Sequence, residues 1–299
     1  MKYEYFKSQK GNFGDDLNAW LWPQLFHGEE RGDDWIFLGI GSILHNENKS
    51  LPGMAQLKKI VFGTGVRPSK YYTHFKIDPS WDIQFLRGPL SSYYLGDVHE
   101  YITDAAYAIR QLPEFEKLKN QEKKYEISLM PYFHSVEYFD WEAICRELGF
   151  HYISPYSENG VEHTLQEIAA SKMLITEAMH GAIAADLLRV PWHRFIFSTP
   201  HTEGAMISEF KWSDWLRSVE IHMPEVTFIP FYQKTRIHDW VRKISSHMIS
   251  VEFLRKTNVR NNLIAKLGQK LPTYLSKDQV LEQVDTRIHA KVEGLKQRK

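Results

Sequence analysis

The N-terminal half of the chain repeats one pattern, a short apolar run that ends in a loop of small residues. Tyr3-Glu4-Tyr5-Phe6 leads to Gly11-Asn12-Phe13-Gly14-Asp15-Asp16, and residues 35–38 lead to Gly39-Ile40-Gly41-Ser42. Residues 59–62 lead to Gly63-Thr64-Gly65, and residues 83–86 to Arg87-Gly88-Pro89. Residues 17–22 read as a helix, and Pro89 suits the first turn of another. Short buried strands alternating with helices predict a parallel sheet of βαβ units.

A polar stretch, residues 112–124, reads as a linker, after which the pattern restarts. Strands are expected at 125–132, 151–153, 173–176 and 194–197, with helices at 138–148, 161–171, 181–188 and 207–218. The fold predicted is α/β and GT-B-like: two Rossmann-like domains facing a central crevice, followed by C-terminal helices. The boundaries are 1–115 for the first domain, 125–230 for the second and 231–299 for a helical tail. In the tail, Ile237, Trp240, Val241, Ile244, Met248, Val251 and Leu254 fall at helical spacing, as do Val280, Leu281, Val284, Ile288, Val292 and Leu295. The first of these helices is expected to pack across the domains. For the second, packing and a surface position on an anionic membrane stay open.

Charge sharpens that reading of the tail. The 299 residues carry 37 basic and 37 acidic groups, but residues 231–299 hold 15 basic against 6 acidic. The remainder is correspondingly acidic, so the tail is the part suited to an anionic partner. Nucleic acid is not expected, because no binding motif is present and the acidic body repels phosphates. Hydrophobic residues make up 43%, enough for a packed core. The single cysteine, Cys145, excludes an intrachain disulfide, and the opening residues lack a signal-peptide pattern, so a cytoplasmic protein is expected. Cys145 shares a helical face with Trp141, Ile144 and Leu148 and reads as buried rather than nucleophilic.

Ligands of open parallel sheets bind at the carboxyl ends of the strands, where every small-residue loop above lies. The Gly11–Asp16 loop combines glycines for close backbone approach with Asp15 at a helix start. The two G-x-G loops lack the full dinucleotide fingerprint, so NAD is not expected. Arg87 precedes a helix start, where a guanidinium suits a carboxylate or phosphate. His180-Gly181, between a strand and a helix rich in alanine, places an imidazole at the crevice mouth. His134 follows the strand ending near Tyr132, and Lys211 lies between aromatics on a helix. No metal-ligand spacing occurs among the fourteen histidines, and no metal is expected.

Taken together, Gly11–Asn18, Gly39–Ser42, Phe62–Gly65, Arg87–Ser91, Thr103–Ala106, Met130–Tyr132, Ala178–Asp186 and Phe210–Trp212 resemble, in order, the polysaccharide pyruvyl transferase family. The nearest likeness is to its bacterial exopolysaccharide ketal-forming enzymes of the succinoglycan and xanthan type. The resemblance covers about residues 1–220. It implies transfer of a pyruvyl group from phosphoenolpyruvate to two hydroxyls of one sugar, forming a cyclic ketal and releasing phosphate, with no cofactor. The acceptor it implies is a sugar in a lipid-linked repeat unit or growing polysaccharide at the inner face of the cytoplasmic membrane.

By that resemblance Arg87 and His180 bind the donor, and Gly181 and His134 are further residues expected on the donor side. Many relatives have Arg where this chain has Ala178, and Lys211 is the cation expected to compensate. Asn12, Asp15, Gly41 and Ser42 are expected to meet the acceptor from the first domain. Asp15 is the expected base, with Asp16 able to stand in, and His180 is catalytic. Two rival readings are kept: a metal-independent GT-B nucleotide-sugar glycosyltransferase or epimerase, and an inactive polysaccharide-assembly or sugar-binding scaffold.

Overall fold

A computed structural model describes residues 2–28, 32, 34–68, 75–230 and 251–298. Two all-parallel sheets are formed. The first contains β1 (Lys2–Tyr3), β2 (Trp35–Leu38), β3 (Lys58–Phe62) and β4 (Trp81–Phe85), in the spatial order β1-β2-β3-β4. The second contains β5 (Ser128–Met130), β6 (His151–Tyr152), β7 (Leu174–Thr176), β8 (Trp192–Ile196) and β9 (Val226–Phe228), in the order β6-β5-β7-β8-β9. The expected strands are present with ends shifted by a few residues either way, and β9 is an additional strand that the sequence reading did not expect.

The two orders have different consequences. The first sheet winds in one direction and has no point where the strand order reverses. In the second, the chain leaves β5 toward β6 and returns to add β7 on the other side. The carboxyl ends of β5 and β7 therefore flank a topological switch point, where the diverging connections leave a crevice. Helix α6 (Met179–Leu187) leaves from the end of β7. Its alanines and Gly181 are buried; an added Cβ at Gly181 would lie 2.6 Å from Thr176 Oγ1 and 2.8 Å from Met130 Sδ. Only glycine lets this helix sit so close to β5 and β7.

Helix α1 (Phe13–Leu25) is pinned to the first sheet by the buried Asn18. Its Oδ1 accepts from Ile40 N and Trp22 Nε1, while its Nδ2 donates to Ile40 O and Asp15 O. Every polar atom of this side chain is paired, so burial costs it little.

The polar stretch at 112–124 is not a free linker. Residues Phe115–Lys119 form the short helix α3, and Phe115 and Leu118 at i and i+3 are buried against α5 (Val161–Ala169). Two well-spaced apolar residues outweigh the polarity of their neighbours.

The tail is described in part. The candidate helical positions at 237–248 lie outside the described residues, and a helix runs Val251–Leu267. The C-terminal helix Asp278–Gln297 buries all six of its predicted apolar positions. It packs on a 3-10 segment, Ala105–Gln111, where Arg110 grips Asp285 through Nε at 2.8 Å and Nη2 at 2.7 Å. The stripe is covered inside the molecule, which removes the apolar half of the basis for a membrane-surface position. Among the described residues no helix is long and apolar enough to cross a membrane.

Candidate functional site

A cavity of about 370 Å³ lies where the carboxyl ends of the two sheets meet. The first sheet contributes the chain after β1, the first turn of α1 with Asn12 and Asp15, the Gly41-Ser42 loop, and Arg67 beyond β3. The second contributes Tyr132 to His134 after β5, Glu177 to His180 after β7, Thr199, Thr202 and Glu203 after β8, and Lys211. Its volume falls in the range of small-molecule sites, about 300–1,000 Å³.

Seven of the predicted residues meet here: Asn12, Asp15, Gly41, Ser42, His134, His180 and Lys211. His180, on the first turn of α6, keeps 14% of its side chain exposed. An added Cβ at Gly14 would lie 2.2 Å from its Nδ1, so the imidazole lies against the first turn of α1. Asp15 on that turn accepts from Asn12 Nδ2 at 2.6 Å. Burial pushes its pKa up to about 6, against the opposing pull of His180, Asn12 and Lys211. It is thus a carboxylate at neutral pH and a stronger base than an ordinary aspartate.

Three predicted residues are placed elsewhere. Arg87 is absent from the cavity wall and fully buried. Its Nε donates to Asp214 Oδ2 at 3.0 Å, and its Nη1 donates to Ser42 Oγ at 2.9 Å. Asp214 lies on α7 (Ala205–Ser218), from the second half of the chain. It also accepts from the amides of Leu90 and Ser91, capping α2 (Pro89–Tyr94) of the first half. Arg87 is therefore tied in as a strut one layer behind Ser42, with its Nη2 buried and without a hydrogen-bond partner among the described residues. Gly181 serves close packing, as described above. Asp16 turns its Oδ2 to the amide of Asn12 at 3.0 Å, closing the loop rather than lining the cavity.

Lys211 donates to Glu203 Oε1 at 2.5 Å. Burial alone would raise the Glu203 pKa, but Lys211, Arg67 and Arg87 together hold it below the usual range. Arg67 is a cavity cation not singled out in the sequence, although it stands two residues beyond the Gly63-Thr64-Gly65 loop. Glu177 was also missed, although it sits between strand β7 and His180. Its Oε1 accepts from the amides of Phe197, Ser198 and Thr199 and its Oε2 from Ser135 Oγ, so it shapes the loops after β5 and β8.

Cys145 is buried, its thiol pKa pushed up to about 12 by burial and Glu142, as suits an inert core residue. Among the described residues no group of three or more His, Cys, Asp or Glu side chains is placed to hold a metal ion.

No protein-family model matches the chain. Among solved structures, an uncharacterized protein from Klebsiella pneumoniae aligns with 77% of this chain and 92% of its own at 16% identity and a TM-score of 0.44. The wall teichoic acid polymerase TagF aligns with 98% of this chain and 88% of its own at 9% identity and a TM-score of 0.37. At these scores neither likeness bears on fold or function. A curated protein gives a stronger match: the succinoglycan biosynthesis protein ExoV of Rhizobium meliloti (strain 1021) is 38% identical over 227 residues. The match takes in 74% of this chain and 66% of that protein, just under two thirds of its length. By sequence, the chain is a homologue of a succinoglycan biosynthesis protein.

Proposed function

We propose that the chain transfers a pyruvyl group from phosphoenolpyruvate to two hydroxyls of one sugar during exopolysaccharide assembly, on a GT-B-like frame. The likeness to a succinoglycan biosynthesis protein supports the setting. The observation that carries the chemistry is the meeting of His180, Lys211 and Arg67 with Asp15 in one cavity. Phosphoenolpyruvate bears a phosphate and a carboxylate, and it needs cations and amide donors. The first amides of α6 lack helical partners and no side chain caps them, so they add donors beside His180.

The reaction assigns work to each group. His180 gives a proton to the methylene carbon, which becomes a methyl group and leaves the adjacent carbon electrophilic. A sugar hydroxyl attacks that carbon while Asp15 takes its proton. Phosphate then departs with the electron pair of its C–O bond, and the second hydroxyl closes the ketal. One hydroxyl proton restores the acid and the other leaves with phosphate or solvent. Lys211, Arg67 and His134 surround the donor, with Arg67 meeting the charge left unmatched at Ala178. Asn12, Gly41 and Ser42 face the acceptor, which we take to be a lipid-linked sugar at the inner membrane face. In this scheme the first half of the chain is the acceptor side and the second the donor side.

The test is calorimetric titration with phosphoenolpyruvate, UDP-glucose, GDP-mannose and phosphate, on wild type and His180→Ala, followed by phosphate release with an exopolysaccharide repeat unit. Selective phosphoenolpyruvate binding that weakens in the variant is expected. Tight binding of a nucleotide sugar instead moves the protein to glycosyl transfer or epimerisation. Donor binding without phosphate release, whichever acceptor is offered, makes it a scaffold.

A further inference from the structure

His180 is held between two carboxylates, and only one of them faces the cavity. Asp15 is on the cavity wall. The other, Asp104, is fully buried at the start of the 3-10 segment Ala105–Gln111. His180 Nε2 lies 3.7 Å from Asp104 Oδ1. That oxygen already accepts from the amide of Ala106 at 3.0 Å, which is all a helix cap requires. Asp104 Oδ2 and His180 Nε2 are both buried and without a hydrogen-bond partner among the described residues. A serine or asparagine would cap this turn equally well, so the second oxygen is surplus to the cap. Among the described residues the buried donors left open include His180 Nε2 and Arg87 Nη2, and of these two the imidazole is the one on the cavity wall.

We propose that Asp104 is the positioning residue of His180: its carboxylate takes the hydrogen bond from Nε2–H, fixes that tautomer, and leaves Nδ1 as the atom that exchanges a proton. Hydrogen bonds of this kind are often long without substrate and tighten when the site is occupied. The ring orientation agrees, since Nδ1 is the atom packed against Gly14 beside Asp15. Burial alone would favour a neutral Asp104, but His180 and Arg87 hold its pKa low, so it remains an anion. The other charges around the imidazole are Asp15 on α1, Lys211 and Glu203 across the cavity, and Arg87 behind Asp104. The effect on turnover rests on the pyruvyl-transfer reading, while the tautomer assignment does not.

Asp104→Asn tests this with nearly unchanged shape. The Ala106 amide still needs an acceptor, so it claims the asparagine oxygen, and the NH₂ group takes the place of Oδ2. Nε2–H then keeps only an uncharged oxygen already bound to Ala106, and the neutral imidazole shifts to the Nδ1–H form. Long-range ¹H–¹⁵N correlation spectra of ¹⁵N-histidine-labelled protein, assigned with His180→Gln, read this directly without substrate. The expected result is Nε2–H in wild type and Nδ1–H in Asp104→Asn. Turnover should fall about 10²–10⁴-fold with KM for phosphoenolpyruvate moved far less, because Lys211, Arg67 and His134 are untouched. An Nδ1–H tautomer in wild type, or the same tautomer in both proteins, overturns the proposal. If the asparagine variant does not fold, the wild-type spectrum alone decides, and Asp104→Ser keeps the cap while removing the second oxygen. Wild type with the Nε2–H tautomer but no pyruvyl transfer would sink the proposed reaction and leave this assignment standing.

Discussion

His180 and Arg87 occupy equivalent positions in the sequence pattern, each a nitrogen-bearing side chain between a strand end and a helix start, yet the folded chain uses them differently. His180 follows β7, beside the switch point of the second sheet, and opens onto the cavity. Arg87 follows β4, at the edge of a sheet with no switch point, and is spent on Asp214 and Ser42 inside the protein. Glycines mark both, and each removes a Cβ for a different purpose. At Gly14 the missing Cβ makes room for the imidazole, and at Gly65 for the Arg87 guanidinium, which an added Cβ would approach to 2.2 Å. In this pair the basic residue that reaches the cavity is the one with a topological gap beside it.

Removing one partner of the buried pair should give the largest effect. Arg87→Ala leaves Asp214 buried with an unmatched charge and should cost about 3–5 kcal/mol in denaturant unfolding. A loss below about 1 kcal/mol, with donor binding abolished, would move Arg87 from strut to ligand. His180→Ala should do the reverse, lowering turnover about 10²–10⁴-fold while shifting stability by less than about 1 kcal/mol. Near-normal turnover would remove His180 from the chemistry.

The glycines offer a finer division of the same contrast. Gly65→Ala should cost about 1–3 kcal/mol of stability through overpacking against Arg87. Gly14→Ala should instead show its main effect on turnover, by displacing the imidazole. Matching stability losses in both would mean that the two sites do not differ.

The smallest change concerns Asp15, whose folded pKa of about 6 stands above its ordinary 3.8. A raised carboxyl pKa means that the folded protein disfavours the charge. The cost is present above pH 6 and fades as pH falls toward 4. Asp15→Asn should therefore raise stability by about 1–2 kcal/mol at pH 7.5 and leave it unchanged near pH 4, a value discounted from about 1.4 kcal/mol per pH unit because the cavity admits water. In wild type the base is lost as pH drops through about 6, giving the rate an acid limb there that the variant lacks. Equal stability at pH 7.5 would show that Asp15 is ordinarily solvated.

The strands were legible because each apolar run is closed by small residues, and the cavity's two rims could be traced from those loops alone. What escaped was long-range pairing. Nothing near Arg87 announces that its partner is Asp214, 127 residues further on. Local polarity likewise hid the buried faces of Phe115 and Leu118, since two apolar residues in a charged stretch give little signal. Glu177 and Asp104 lie inside segments whose residue types were noticed, but their roles depend on which loops fold over them. The amides that Glu177 binds come from the end of β8, and the imidazole beside Asp104 comes from β7's loop, both set by tertiary structure.

The C-terminal helix has a consequence for how the molecule comes into being on the ribosome. Asp104 begins the segment Ala105–Gln111, and that segment is covered by residues 278–297, which are synthesised long after it. The first sheet can assemble early, but the cradle behind His180 cannot close until the helix has emerged. Until then the nascent chain has its framework without a finished cavity wall, and the site waits for that helix.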